Sequence, residues 1–433
     1  MVDEAAEATQ QSQTSDDQPA EPKKISAVEK FKLSAAVFSS PGFSWLVMAN
    51  GAMFMGFQMR NMGQAWLVLE LTDSAFMVGL VNAMPSMALL LLSPVGGVLA
   101  DRLNKRTVAL RGRFFVMIIS FGVAFLVGSG GVEVWHLLIT GLLLGVAFAL
   151  SNPSSQTIVM DIVGRKRMVS AISVNNSISN LGTMIGPAVG GLLIANYGNA
   201  AMFWLTAGIY VFAYAGFLGV PGGAAKESTE SAGWSSAFTQ MGEGLKYSMN
   251  TSRIKWLMFT LTGAIYWGVV QPPIPIYARD VLGVGSTGFG VMIAATGAGS
   301  LIGAVVIFGI GDLPRKGMMV TLSTIVVAGS YSLFAISGSF AISLVALFIS
   351  GLASAVWFTS IFTLLQTMVD DEMRGRVMGL AMSGAMLMGF GFMLGGILAD
   401  TYSPAVALHT AAALWVLWGL LAFWRSPELR KAN

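Results

Sequence analysis

Residues 75–113 read AFMVGLVNAMPSMALLLLSPVGGVLADRLNKRTVALRGR. Positions 75–100 carry no charge, and Asp101, Arg102, Lys105, Arg106, Arg111 and Arg113 follow at once. A helix of about 20 residues crosses the ~30 Å hydrocarbon layer of a bilayer. This stretch is therefore one membrane span ending in a basic turn. The rest of the chain has the same character: 55% of its 433 residues are hydrophobic and 11% are charged, where a soluble domain carries about 25% charge. Mean hydropathy is +0.69. With 25 Lys+Arg and 22 Asp+Glu, a water-soluble globule of this length could not cover its apolar surface. The absence of cysteine excludes disulfides, thiolate catalysis and Cys-based zinc sites. His136 and His409 are the only histidines, so no metal site is expected. No glycine–x4–Gly–Lys phosphate loop occurs and no Ser/His/Asp cluster can be located, so neither ATP drive nor an enzyme is expected.

Outward from this stretch, apolar runs alternate with short polar loops. Twelve spans are expected, at about 43–69, 75–100, 107–129, 134–160, 168–196, 200–220, 254–281, 286–310, 317–337, 340–368, 376–399 and 404–424. They are too long for barrel strands, and an open sheet cannot exist in lipid. With the N-terminus inside, 23 of the 25 Lys+Arg fall on one side, leaving Arg279 outside and Arg60 within span 1. Under the positive-inside rule both termini are cytoplasmic. The segregation also accounts for the basic balance without nucleic acid. The expected organisation is a disordered acidic tail over 1–35, a six-helix bundle over 36–220, a cytoplasmic linker over 221–253, a second bundle over 254–425 and a short tail over 426–433. Within the linker, Trp234, Phe238, Met241 and Leu245 share one helical face, which predicts a helix lying on the inner membrane surface or, alternatively, a solvated linker.

The two halves repeat each other. Residues 156–161 read QTIVMD and residues 366–371 read QTMVDD, an offset of 210. Gly79 matches Gly290, Asp101 matches Asp312, and Gly190–Gly191 matches Gly395–Gly396. Two six-helix halves related about the membrane normal place a substrate site between them, near the midplane.

The turn after span 2, Gly97-Val98-Leu99-Ala100-Asp101-Arg102-Leu103-Asn104-Lys105-Arg106, resembles the loop signature of the major facilitator superfamily. A reduced copy, Gly311-Asp312-Leu313-Pro314-Arg315-Lys316, stands in the second half. The resemblance implies an inner gate at Gly97, Asp101, Arg102, Lys105, Arg106, Asp312 and Arg315, latched when the protein opens outward. In span 5, Gly182, Gly186, Pro187, Gly190 and Gly191 resemble a signature of exporter branches. Physically, these glycines let a neighbouring helix approach and the proline bends the helix; that packing needs no transport direction. At the place of Pro187 the second half has Phe392. With the stretches 64–74, 152–156 and 374–379, the chain from about 40 to 425 is similar to the bacterial drug- and siderophore-exporter-like branch that holds the enterobactin exporter. The fold this implies is all-α, with twelve membrane helices in two pseudo-symmetric bundles. The function it implies is secondary transport across the bacterial inner membrane by alternating access.

Polar groups inside a membrane cost free energy and are candidates for the substrate pathway. Span 1 offers Gln58, Arg60, Asn61 and Gln64; span 4, Asn152 and Gln156; span 5, Asn175 and Asn176; span 7, Tyr266, Trp267 and Gln271 before a proline cluster; span 10, Trp357 and Gln366. Arg60 is read either as an anion-binding group facing the cavity or as a structural arginine. Gln156, Gln366 and the asparagines near Asn175 lie towards the inner ends, as gate residues or interhelical bonds. All 22 acidic residues fall in the tail or near span ends, with none mid-membrane. No cofactor is expected; proton or other ion coupling is open, since a buried carboxylate with a raised pKa is missing. Export of an amphipathic small molecule, an anion among the candidates, by a monomer is favoured. Uptake or facilitated transfer of an organic anion, a lysolipid flippase and a non-transporting sensor or scaffold are the alternatives.

Overall fold

The computed structural model describes residues 37–164, 167–221, 234–310 and 315–426. Among these, every regular element is helical. Lipid offers the backbone no hydrogen-bond partner, and a helix satisfies its own. Nine of the described helices are long and apolar enough to cross a membrane. One of them, Met168–Leu218, contains Gly198 at φ 79°, ψ 172°. The chain doubles back there, bringing Met202 beside Gly190, so this element holds spans 5 and 6. Phe43–Thr72, 30 residues long, is not among the nine; Gln58, Arg60, Asn61 and Gln64 lower its hydropathy. Span 7 is built of pieces, Ser252–Leu261, Ala264–Val269, Pro273–Ile276 and a π turn Tyr277–Val281. Pro272, Pro273 and Pro275 each remove a backbone donor, which interrupts the helix there. Span 11 is likewise divided, into Asp371–Ala385 and Met388–Thr401.

Helices in lipid gain little from hydrophobic burial against each other, so close backbone contact has to hold them. Within the first half, span 5 presents Gly182, Gly186 and Gly190 to span 1: a methyl on Gly182 would stand 2.9 Å from the Met55 amide nitrogen, and one on Gly186 2.7 Å from the Met55 carbonyl oxygen. The second half repeats this with span 11 on span 7. A methyl on Gly391 would stand 1.9 Å from the Ile265 oxygen and one on Gly395 2.2 Å from the Val269 oxygen.

The remaining glycines of the repeat join the halves. A methyl on Gly191 would stand 2.4 Å from the Ser286 oxygen of span 8, and one on Gly396 2.6 Å from the Ala75 oxygen of span 2. Gly290 would meet the Pro187 oxygen at 2.3 Å, and Gly79 the Phe392 oxygen at 2.2 Å. The positions matched by sequence offset thus make matching contacts across a pseudo-two-fold. At the outer rim, the Asp400 carboxylate accepts from Ser74 Oγ at 2.5 Å, the Ala75 amide at 2.7 Å and the Phe76 amide at 3.0 Å. These are free donors of the first turn of span 2, where negative charge also meets the positive end of the helix dipole. Arg279 pairs with Asp73, whose φ of 51° turns the loop towards it, and with Asp280 at 2.6 Å. Trp66 stacks on Phe289, centroids 5.9 Å apart. Ser74, Ala75, Phe76, Arg279, Ser286 and Thr287 each donate a hydrogen bond to the other half at this end of the molecule.

The linker helix, Trp234–Asn250, docks on the second half and also packs against span 2 of the first. Glu243 pairs with Arg376 at 2.8 Å and Tyr247 donates to Asp370 at 2.7 Å. Burial and this bond to Asp370 hold the Tyr247 phenol above its usual pKa. Of its expected apolar face, Leu245 is exposed and Met241 half-buried; the side chains of Trp234 and Phe238 lie outside the described residues.

Two outcomes follow. Asp400→Ala removes the cap on span 2, an interaction of about 0.5–1 kcal/mol for an exposed carboxylate at a helix N-terminus. Cysteines introduced beneath the outer rim of this natively cysteine-free chain should then react faster with an impermeant maleimide; an unchanged rate would deny Asp400 a part in closure. Gly391→Val overpacks the contact between spans 7 and 11 by about 1–3 kcal/mol, so its melting temperature in detergent should fall well below that of Gly329→Val, whose added carbon meets open space.

Candidate functional site

The halves touch along spans 2 and 11 and along spans 5 and 8, and these contacts reach inward to Ser86 with Gly389 and Thr183 with Gly297. On span 4, Phe148 meets Phe57 of span 1 while Ala149 meets Gly96 of span 2. Asn152 and Gln156 lie one and two turns further in, on the face between those neighbours, and both are exposed. The place of Gln156 in the repeat is answered by Gln366 of span 10, also exposed. Asn176 is exposed on the flank of span 5 that carries Thr183 and Pro187, the residues facing span 8. Of the expected pathway residues, these four amides are exposed. Amides both donate and accept, which suits neutral polar groups as well as charged ones.

Others are held elsewhere. Arg60 is 3% exposed and lies inside the first bundle. Its guanidinium donates to Gln64 and, at 2.7 Å, to Asn61, and lies 5.9 Å from the Phe57 ring. The Tyr210 hydroxyl of span 6 is beside it. Neither Arg60 Nε nor Tyr210 Oη has a hydrogen-bond partner. Burial and local satisfaction of the charge give weight to the architectural alternative. Gln58 is half-buried. Asn175 accepts from Asn50 Nδ2 at 2.8 Å, and Asn50 accepts from Arg113 at 2.5 Å. Arg113 also donates to the Ala49 oxygen at 3.1 Å and covers the Phe217 ring at 4.2 Å. Sequence reasoning placed Arg113 with the basic loop and passed over Asn50. The available signal was position: Arg113 stands two turns into a helix that starts at Lys105. Trp357 is buried against Trp415 with its indole nitrogen unpaired. Tyr266, Trp267 and Gln271 are half-buried along the broken span 7.

At the inner face, the side chains of Gly97, Asp101 and Arg102, and all of Asp312, lie outside the described residues. Lys105 pairs with Asp161 at 3.0 Å. Arg106 donates to the carbonyls of Leu218 and Val220 at 2.8 and 2.7 Å, capping the end of span 6. Both tie spans within one half. Arg315 is exposed with φ 52° at the start of span 9.

Comparison with known proteins places this architecture. The model of the family described as "Transmembrane secretion effector" matches residues 33–432. The multidrug efflux pump Tap of Mycobacterium tuberculosis H37Rv is 26% identical over 383 residues, covering 85% of this chain and 89% of the pump. The enterobactin exporter EntS of Escherichia coli O1:K1 is 28% identical over 335 residues, covering 75% of this chain and 79% of the exporter. In fold, the crystal structure of a POT family transporter in complex with 5-aminolevulinic acid superposes with a TM-score of 0.72 at 13% identity, over 90% of this chain and 97% of that one. With a match spanning nearly its whole length, this multi-pass bacterial membrane protein belongs to the transmembrane secretion effector family, in the drug- and siderophore-exporter-like branch of the major facilitator superfamily.

Proposed function

We propose that the chain crosses the inner membrane twelve times with both termini inside, and exports a small amphipathic molecule by alternating access. The count is supported by adding to the nine long helices the reversal at Gly198, the polar Phe43–Thr72 helix and the broken span 7. What supports the mechanism is the pairing of polar bonds across the rim at Asp400 and Arg279 with the exposed amides Asn152, Gln156, Asn176 and Gln366, which we read as lining a cleft open to the cytoplasm. A substrate enters this cleft from the cytoplasm. Rocking about the glycine contacts between spans 5 and 8 and between spans 2 and 11 then breaks the Asp400 and Arg279 bonds and opens the outer side. Export rather than uptake is favoured because Tap is named as an efflux pump and EntS as an exporter. Recognition by amides makes the pocket tolerant of substrate charge, with Arg60 shaping the bundle. If a proton or other ion drives the cycle, it acts through carboxylates at span ends, among them Asp161 and Asp400.

Flux of a panel of anionic, neutral and cationic amphiphiles from oriented proteoliposomes tests the proposal. Outward movement that collapses with an ionophore and needs no ATP is expected; inward movement alone would reverse the direction, and no flux with any solute would leave a scaffold. The double variant Gln156→Ala, Gln366→Ala should slow export by up to about tenfold, as the loss of two neutral hydrogen bonds allows, at unchanged melting temperature. Arg60→Gln should lower the melting temperature and leave the ratio of anionic to neutral transport unchanged; selective loss of anions would return Arg60 to the binding site.

A further inference from the structure

A crevice of about 500 Å³ lies on the first bundle, walled by spans 5 and 6 and floored by span 1. Every residue lining it is apolar, among them Met48 and Met55 of the floor, Leu181 and Ile185 of span 5, and Leu205 and Phe212 of span 6. Its direction follows from helix geometry. Span 5 turns Gly182 and Gly186 to span 1 and Thr183 and Pro187 to span 8. Leu181 and Ile185 point to the flank away from span 8, and both are about two-fifths exposed. The crevice therefore opens to the bilayer and not to the cleft between the halves. Spans 5 and 6 join at Gly198 on the outer side, so the wedge between them widens inward, in the inner leaflet. Gly208 sits on its wall with no atom within 4 Å of where a Cβ would stand. A side chain there would project into the space without touching the fold.

The surroundings are graded in polarity. One turn inward of Ile178 is Asn175, the end of the hydrogen-bonded run Arg113–Asn50–Asn175. Neither amide proton of Asn175 is donated to any described group. An apolar slot in the hydrocarbon layer, with a positively charged, amide-tipped network at its inner end, has the polarity of a phospholipid in the inner leaflet.

We propose that this crevice is a binding site for one acyl chain of an inner-leaflet phospholipid, whose ester region lies at Asn175. The chain fills a gap that no side chain of the protein fills and wedges spans 5 and 6 apart over the Met48–Met55 face of span 1. Unbranched methionines adapt such a wall to the kinks of an acyl chain.

The full-length protein is reconstituted in nanodiscs of phosphatidylethanolamine and phosphatidylglycerol containing a phospholipid with a mid-chain diazirine, irradiated, and digested for peptide mass spectrometry. Adducts should concentrate on the peptides holding Met48, Met55 and Leu181, several-fold above other lipid-exposed segments. Gly208→Leu should abolish this excess, while Gly329→Leu, an equally open glycine on span 9 outside the crevice, should keep it. Melting curves of both variants check that they fold; if Gly208→Leu does not, Gly208→Ser, which narrows the slot less, should lower the excess in part. Labelling in proportion to exposure alone, or unchanged by filling the slot, overturns the proposal. So does loss of the excess on adding a transported amphiphile in place of lipid, which would make the slot a substrate site.

Discussion

The hydrocarbon layer supplies neither hydrogen bonds nor a hydrophobic drive between helices. That single constraint governs the molecule. The backbone must satisfy itself, which leaves helices, and helices must then adhere through close contact of their backbones. The glycines do this. Gly182 and Gly186 bring span 5 against the backbone of span 1, and Gly391 and Gly395 bring span 11 against span 7. Each half becomes a stiff body, so that motion is concentrated where the bodies meet.

The meeting surfaces use the same residue type for a different purpose. Gly191 and Gly290, and Gly79 and Gly396, set carbonyl oxygens of one half against bare α-carbons of the other. Such contacts have no interlocking side chains to disengage, and they suit surfaces that rock. The polar bonds between the halves lie at the rim: Asp400 on the first turn of span 2, and Arg279 between Asp73 and Asp280. Pro187 sharpens the asymmetry between the two seams, since its place in span 11 is taken by Phe392.

Much of this was legible in the sequence because it rests on periodicity and duplication. The offset near 210 paired Gly79 with Gly290 and Gly191 with Gly396 before any geometry was known, and those residues stand at equivalent contacts. Charge segregation along the loops likewise follows from local composition. The candidate site was less legible. Helical spacing says which residues share a face but not what that face meets. Gln156 and Asn175 are both amides near the same ends of their spans, yet one is exposed and the other is tied to Asn50. Trp357 turned to Trp415 for the same reason. Arg113 was missed because a basic residue near a loop is assigned to the loop, although its long side chain runs back to Ala49 and Phe217. The partners of Asp400 are more than 300 residues away in sequence, where no local pattern can join them.

The outer rim has one further consequence. Asp73 and Asp400 are exposed to the outside medium, and attraction between exposed charges is screened over roughly 10 Å at 0.1 M salt and over about 3 Å at 1 M. The glycine seams beneath contain no charge to screen. The contact between the halves thus joins an element that responds to ionic strength to one that does not: concentrated salt would weaken the rim bonds and leave the glycine contacts as they are.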